Sequence, residues 1–299
     1  MAAPDRYAVV VVQPPGYPHS AAFREVAETV LHGLRRLGLD AAPSGEPVPG
    51  RRSIVLGSNL LAAHPLPLPA DAVLYNLEQI DARSAWLAPR LLELFRRHEV
   101  WDYSARNASR YAALGLPAPR VVPVGYVPEL TRIAPAPEDL DVLFYGSVNE
   151  RRALVLEGLR ARGLRVAAAF GVYGEERDRL VARAKVVLNL HYYDAKVFEV
   201  VRVSYLLANR RCVVSERGAD AAEERGYAGG VAFAPYEELV DACVRLCGDA
   251  AARARLAAEG FRIFSSRDER AVLAEALGLP APLSGAAGAQ REGFAASTR

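Results

Sequence analysis

The chain has 299 residues, 51% of them apolar and 24% charged, with a formal net charge of +2. That is the make-up of a globular protein long enough for two domains, and the near balance of charge gives no footing for nucleic acid or an anionic membrane surface. No apolar run approaches the roughly 18 residues that a membrane span needs.

The chain opens on MAAPDRYAVVVV, which lacks the basic segment and long apolar core of a signal peptide, so a cytoplasmic protein is expected. Tyr7 to Val12 is a continuous apolar, β-branched run, the pattern of a strand buried on both faces. It ends in the turn-rich loop Gln13 to His19, after which Ser20 is placed to cap a helix over Ala22 to Leu37, closed by Gly38. Short apolar strands are predicted at Ser53 to Leu56, Ala72 to Tyr75, Glu99 to Trp101 and Arg120 to Val124. Helices are predicted at Ala85 to Arg97 and Asn107 to Leu114. The polar segments Gly57-Ser58-Asn59, Asn76-Leu77-Glu78-Gln79 and Asp102-Tyr103-Ser104 each follow a strand.

Ala134 to Asp139, APAPED, reads as a linker, and then the pattern restarts. Strands are predicted at Leu140 to Tyr145, Leu164 to Phe170, Lys185 to Leu190, Arg211 to Ser215 and Gly230 to Ala234. Helices alternate with them: one running to Arg162, one within Tyr173 to Ala184, and one over Phe198 to Ala208. Three more follow, Tyr236 to Cys247, Ala250 to Phe264 and Glu269 to Leu277. Cys243 and Cys247, four apart on one helix face with no His nearby, read as free thiols packed as small hydrophobes. The fold class is therefore α/β, two parallel-sheet domains facing across a cleft: residues 1–130, then 131–279, with an Ala-, Gly- and Ser-rich tail at 280–299 expected to be disordered. Ligands of open parallel sheets bind beyond the carboxyl ends of the strands, so the polar loops should gather at that cleft.

The stretch Val186 to Glu216 carries the strongest signal. A strand ends at Asn189-Leu190-His191, and Glu199 follows eight positions after the His at the start of a helix. Helix starts present unsatisfied N–H groups and suit a phosphate, while a carboxylate offers two acceptors to a ribose diol. The plain alternative is a core His and a Glu199 that pairs with Arg202 one turn on. In the loop Tyr145 to Arg152, Gly146 permits close backbone approach, Ser147 and Asn149 can donate or cap, and Arg151 or Arg152 can neutralise a diphosphate. Tyr173 is placed to stack on a base, and Asn189 to contact sugar or diphosphate. Neither a Walker loop nor a G-x-G-x-x-G turn occurs, which argues against a dinucleotide cofactor.

Two Rossmann-like halves with this His and Glu spacing resemble the GT-B glycosyltransferases over roughly residues 5 to 275. Sugar-nucleotide enzymes of the plant and macrolide type carry a His and a Glu so spaced, whereas retaining enzymes of the fold carry two Glu. The sequence departs from the plant signature in having HYYDAKVFE in place of its Gly-rich residues. The resemblance implies an enzyme that moves a sugar from a nucleoside diphosphate (UDP, GDP or dTDP type) to a small-molecule, glycan or peptide hydroxyl. It implies no other cofactor and no metal, with inversion favoured. His191 would contact the diphosphate and Glu199 the ribose. His19, in the first strand-to-helix loop, is the first choice of general base, with Glu78 and Asp102 as rivals at strand ends. Two other readings stand beside it: a nucleotide-sugar 2-epimerase on the same fold, and a non-catalytic binding protein with two lobes.

Overall fold

The computed structural model describes residues 5–81, 84 and 86–282. The first half comprises β1 (Arg6–Val11), a 3-10 helix (Pro18–Phe23), α1 (Arg24–Arg36), β2 (Asp40–Ser44), β3 (Arg52–Leu56), β4 (Val73–Asn76), α2 (Pro89–Arg97), β5 (Glu99–Asp102), α3 (Ala105–Ala108) and β6 (Arg120–Val121). Its six strands are all parallel, in the order β2-β1-β3-β4-β5-β6. The second half comprises β7 (Leu140–Tyr145), α4 (Glu150–Ala161), β8 (Val166–Ala169), α5 (Gly174–Arg183), β9 (Ala184–Asn189), α6 (Val200–Ala208) and β10 (Val213–Glu216). It continues through α7 (Ala221–Arg225), β11 (Ala232–Ala234), α8 (Leu239–Gly248), α9 (Ala250–Ser265) and α10 (Glu269–Leu277). Its five strands are also all parallel, in the order β11-β10-β9-β7-β8.

The expected architecture of two parallel α/β sheets is present. Val9, Val10, Ile54, Val55, Val73 and Leu74 alternate between the two faces of the first sheet and are all buried, because helices cover both sides. In the second sheet Val142, Phe144 and Val186 pack on α4 and α8, while Leu143 and Val187 face the other way. The direction of strand order reverses between β1 and β3 in one sheet and between β7 and β9 in the other. The loops at these two switch points are the natural ligand positions.

Several details differ from the sequence reading. Ser20 caps nothing: a 3-10 turn precedes α1, and the Ser20 hydroxyl is buried without a partner. The helix expected from Ala85 begins at Pro89, whose ring is preset for a first helical position; Ala85 itself lies outside the described residues, as does the tail from 283. The final helix, assigned by sequence to the second half, lies on α1 of the first. A Cβ on Gly33 would fall 2.6 Å from Leu273 Cδ1, so the two helices approach through a glycine. Glu269 at the start of α10 is buried and accepts from the Gly125 amide at 2.7 Å.

The connection between the halves is also fixed in place. The Asn209 side chain accepts from the Arg132 and Ile133 amides, each at 2.8 Å, and donates to the Leu130 carbonyl. Across the interface, Arg177 of α5 pairs with Glu25 of α1 at 2.8 Å, both side chains being only 6% exposed.

Candidate active site

Between the carboxyl edges of the two sheets lies a cavity of about 480 Å³. The first half lines it with His19, Glu78 and Tyr103, and the second with Gly146, Ser147, Arg152, Tyr173, Glu199 and Arg202. A larger cavity of about 990 Å³ lies beside the loop after β1 and the start of α1, lined by residues such as Pro14, Arg24 and Glu28 and by none of Arg152, Arg202 and Glu199.

On the second half, the chain leaves β7 through Gly146, at φ +136°, where a Cβ would stand 3.2 Å from Arg202 Nη2. The turn is therefore open to glycine in conformation and in space. Asn149 takes the capping role of the two that the sequence offered it, its Oδ1 accepting from the Arg152 amide at 3.0 Å at the start of α4. Ser147 is exposed at the cavity, and its carbonyl accepts from Arg152 Nη1 at 2.7 Å. Arg152 also donates to the Leu190 carbonyl and lies 3.5 Å from Glu199 Oε1. Burial pulls its pKa down to about 10, against the pull of Glu199, so the guanidinium remains charged at neutral pH. Arg202 pairs with the other Glu199 oxygen at 2.9 Å and donates to Asn189 Oδ1 at 3.1 Å. Glu199, at the cap position of α6, thus stands between two guanidinium groups. The Glu199–Arg202 pairing of the plain alternative is present, joined by Arg152.

Besides Asn149, three of the expected donor contacts do not line the cavity. Asn189 is fully buried and holds Arg202 on one side and the Ser215 hydroxyl on the other. Arg151 turns away to make a two-pronged pair with Glu216 at the end of β10, and its guanidinium lies 4.0 Å over the Tyr236 ring. His191 is 1% exposed, with neither ring nitrogen hydrogen-bonded, and it does not line the cavity. Burial lowers its pKa, favouring the neutral ring, although Glu199 and Glu216 oppose this. Glu216, which the sequence reading passed over, also accepts from the His191 amide and pairs with Lys196 at 3.1 Å. Burial works against its carboxylate, but Arg151, His191 and Lys196 together hold the pKa below the ordinary value.

On the first half, His19 is half-buried on the 3-10 helix and shares a 2.7 Å hydrogen bond between its Nδ1 and the Tyr173 hydroxyl. Tyr173, expected to stack on a base, thus bridges the cleft to the candidate base instead. Glu78 follows β4 into the cavity, and burial, then the charge of Glu199, raises its carboxyl to about 7. Asp102 is corrected as a base. Its Oδ2 accepts from Asn76, Asn107 and Tyr111 at 2.8, 2.8 and 2.9 Å, and its Oδ1 from the Ser104 amide at 3.0 Å. The residue is fully buried and does not line the cavity, so neither oxygen is open to a substrate. Burial still raises its carboxyl to about 7 against those hydrogen bonds. Among the described residues no group of three His, Cys, Asp or Glu is arranged to hold a metal ion, and no helix is long and apolar enough to cross a membrane. Cys212, Cys243 and Cys247 are free, the first two buried.

No family model matches the chain. Among curated proteins it is 27% identical over 185 residues to uncharacterized protein L140 of Acanthamoeba polyphaga mimivirus, a match covering 57% of each chain. It is 34% identical over 108 residues to uncharacterized protein L138 of the same virus, covering 35% of this chain and 12% of that one. The matches therefore span little more than half of the first relative and a small part of the second. Solved structures match over almost the whole length. Anabaena HepE, in complex with UDP and glucose, gives a TM-score of 0.59 at 12% identity, covering 91% of this chain and 99% of that one. AviGT4, a glycosyltransferase involved in avilamycin A biosynthesis, gives 0.55 at 17% identity, with 91% and 96% covered. WaaG, a glycosyltransferase involved in lipopolysaccharide biosynthesis, gives 0.54 at 12% identity, with 91% and 98% covered.

Proposed function

We propose that this chain, which has the GT-B fold, transfers a sugar from a nucleoside diphosphate donor to an acceptor hydroxyl, with UDP as the nucleotide. The observation that carries the reading is the cavity at the two switch points, with a guanidinium pair on one wall and Glu78 and His19 on the other. The UDP-bound state of HepE, over nearly the full length of this chain, supports the choice of nucleotide.

In this reading the diphosphate lies against Arg152, Arg202 and the start of α6, where Gly146 lets the backbone come close. Glu199 then exchanges part of its pairing with the arginines for the ribose diol. An acceptor O–H gives its proton to Glu78, whose pKa of about 7 keeps a working fraction ionised at neutral pH. The acceptor oxygen bonds to the anomeric carbon, the bond from that carbon to the phosphate oxygen breaks, and its electron pair leaves on the diphosphate. Arg152 and Arg202 meet the charge that develops there, so turnover should persist in excess EDTA. Direct displacement of this kind inverts the anomeric configuration. His19 stands second, because Tyr173 already engages one of its ring nitrogens.

The test is calorimetry and thermal shift with UDP, GDP and dTDP, followed by UDP-glucose with an acceptor panel. UDP should raise the melting temperature most, and no shift with any of the three would overturn the reading. UDP release that depends on an acceptor separates transfer from epimerisation. Retention of configuration, read by NMR on the product, would remove the base role from Glu78.

A further inference from the structure

We propose that Gln79 is a positioning residue that clamps the loop of residues 190–199 to the segment bearing Glu78, and so sets the base against the donor; the inference rests on the sugar-transfer reading of this cavity. Gln79 is 5% exposed and belongs to the first half, yet it bonds to the backbone of the second. Its Nε2 donates to the Val197 carbonyl and its Oε1 accepts from the Val197 amide, both at 3.2 Å. A side-chain amide that satisfies both backbone groups of one residue fixes that residue in translation and in rotation. Val197 is fully buried and lies two residues before Glu199.

Each end of the clamp is held by further hydrogen bonds. On the donor side, Lys196 sits at φ +45°, a conformation that side-chain-bearing residues occupy only where their surroundings enforce it. Its amide donates to the Tyr193 carbonyl at 3.1 Å, and its carbonyl accepts from the Ala219 amide at 2.9 Å. On the acceptor side, the Glu78 carbonyl accepts from Asn76 Nδ2 at 2.8 Å and Asn107 Nδ2 at 2.9 Å, and the Ile80 amide donates to Asn107 Oδ1 at 2.6 Å. Both Asn side chains are in turn held by Asp102. The fully hydrogen-bonded Asp102 thus has a purpose in this scheme: it anchors the far end of a chain of contacts from β5 through Gln79 to Glu199. Nothing in that chain touches the donor except Glu199, so its loss should disturb placement of the base more than affinity for the nucleotide.

The test uses the full chain with Gln79→Met, which keeps the volume and removes both hydrogen bonds. Hydrolysis of UDP-glucose, with water as acceptor, should fall by about 10- to 100-fold, as a misplaced reacting pair requires. The Kd for UDP, measured by calorimetry, should change by no more than about threefold. Hydrogen exchange at the Val197 amide should accelerate while that at Val187, in the core of β9, stays slow. Unchanged turnover, unchanged Val197 exchange, or a loss of UDP affinity as large as the loss of rate would each overturn the proposal. If Gln79→Met does not fold, Gln79→Glu, which keeps the acceptor and removes the donor, is read by the same three measurements. If the wild type fails to bind UDP, the sugar-transfer reading falls, and Val197 exchange still decides whether the clamp exists.

Discussion

Glu78 and Asp102 are both carboxyl groups raised to about 7 by burial, and they are put to opposite uses. Asp102 holds four hydrogen-bond donors, three of them on side chains. Asp102→Ala would strand Asn76, Asn107 and Tyr111 in the interior, and a loss of about 2–4 kcal/mol in urea unfolding is expected. Glu78 faces the cavity. Glu78→Gln, which cannot ionise, should match the wild type in unfolding midpoint near pH 4 and exceed it near neutral pH, while turnover falls about 100-fold. The wild-type rate should rise with pH through about 7, as Glu78 ionises, and that limb should be missing from the variant. Glu199→Ala, by contrast, should weaken UDP binding about tenfold in calorimetry, since it removes the ribose acceptor and leaves its two arginines without the carboxylate that orients them. Sequence could mark all three as carboxylates near strand or helix ends, because strand periodicity locates those ends. It could not say which are covered. His191 was legible as a strand-end residue, but its burial depends on contacts from distant elements, and the same holds for the choice of Arg151 for Glu216. Gln79 carries no sequence signal, since a buried amide and a solvated one look alike in the chain.

At the level of elements, the strands most easily read were those buried on both faces, where an unbroken apolar run such as Tyr7 to Val12 leaves little choice. β2 escaped because DAAPS has neither β-branched residues nor alternation. It is a strand through pairing with β1, and as the sheet edge it tolerates Pro43, whose missing N–H need not serve a second neighbour. α10 was read as a helix and grouped with the second half by its place in the chain, because nothing in its sequence names the partner it packs on. Its first residue makes that packing sensitive to pH. Burial lifts the Glu269 carboxyl from an ordinary 4.5 to about 8, opposed by the Gly125 hydrogen bond. The folded state therefore holds a proton that the unfolded chain releases. The resulting stability is complete below about pH 4.5 and is lost as pH rises through about 8. Glu269→Gln keeps an acceptor for Gly125 and cannot ionise. It should match the wild type in urea midpoint at pH 4 and exceed it at pH 9, by an amount on the order of a few kcal/mol.

For the whole molecule, the two-sheet plan was legible and the fit between the sheets was not, since strand patterns say nothing about which helix of one half meets which helix of the other. The Arg177–Glu25 pair shows what that fit entails. Arg177 also bonds Asp178, whose other oxygen accepts from the Tyr205 hydroxyl at 2.8 Å, so charges of both halves meet in one buried network. Arg177→Met would leave Glu25 with only the more distant Arg132, at 3.8 Å. A loss of about 3 kcal/mol or more is expected in urea unfolding, and the two halves should still melt in a single transition. The return of α10 to α1 has a practical corollary. The polypeptide passes from one half to the other twice, so the first half is discontinuous in sequence. A truncation after residue 130 would lack the carboxylate that binds the Gly125 amide and would expose the strip of α1 around Gly33. Splitting the gene at the Pro-rich stretch should yield an insoluble amino-terminal piece. Appending residues 269–277 to that piece through a flexible tether should recover its solubility.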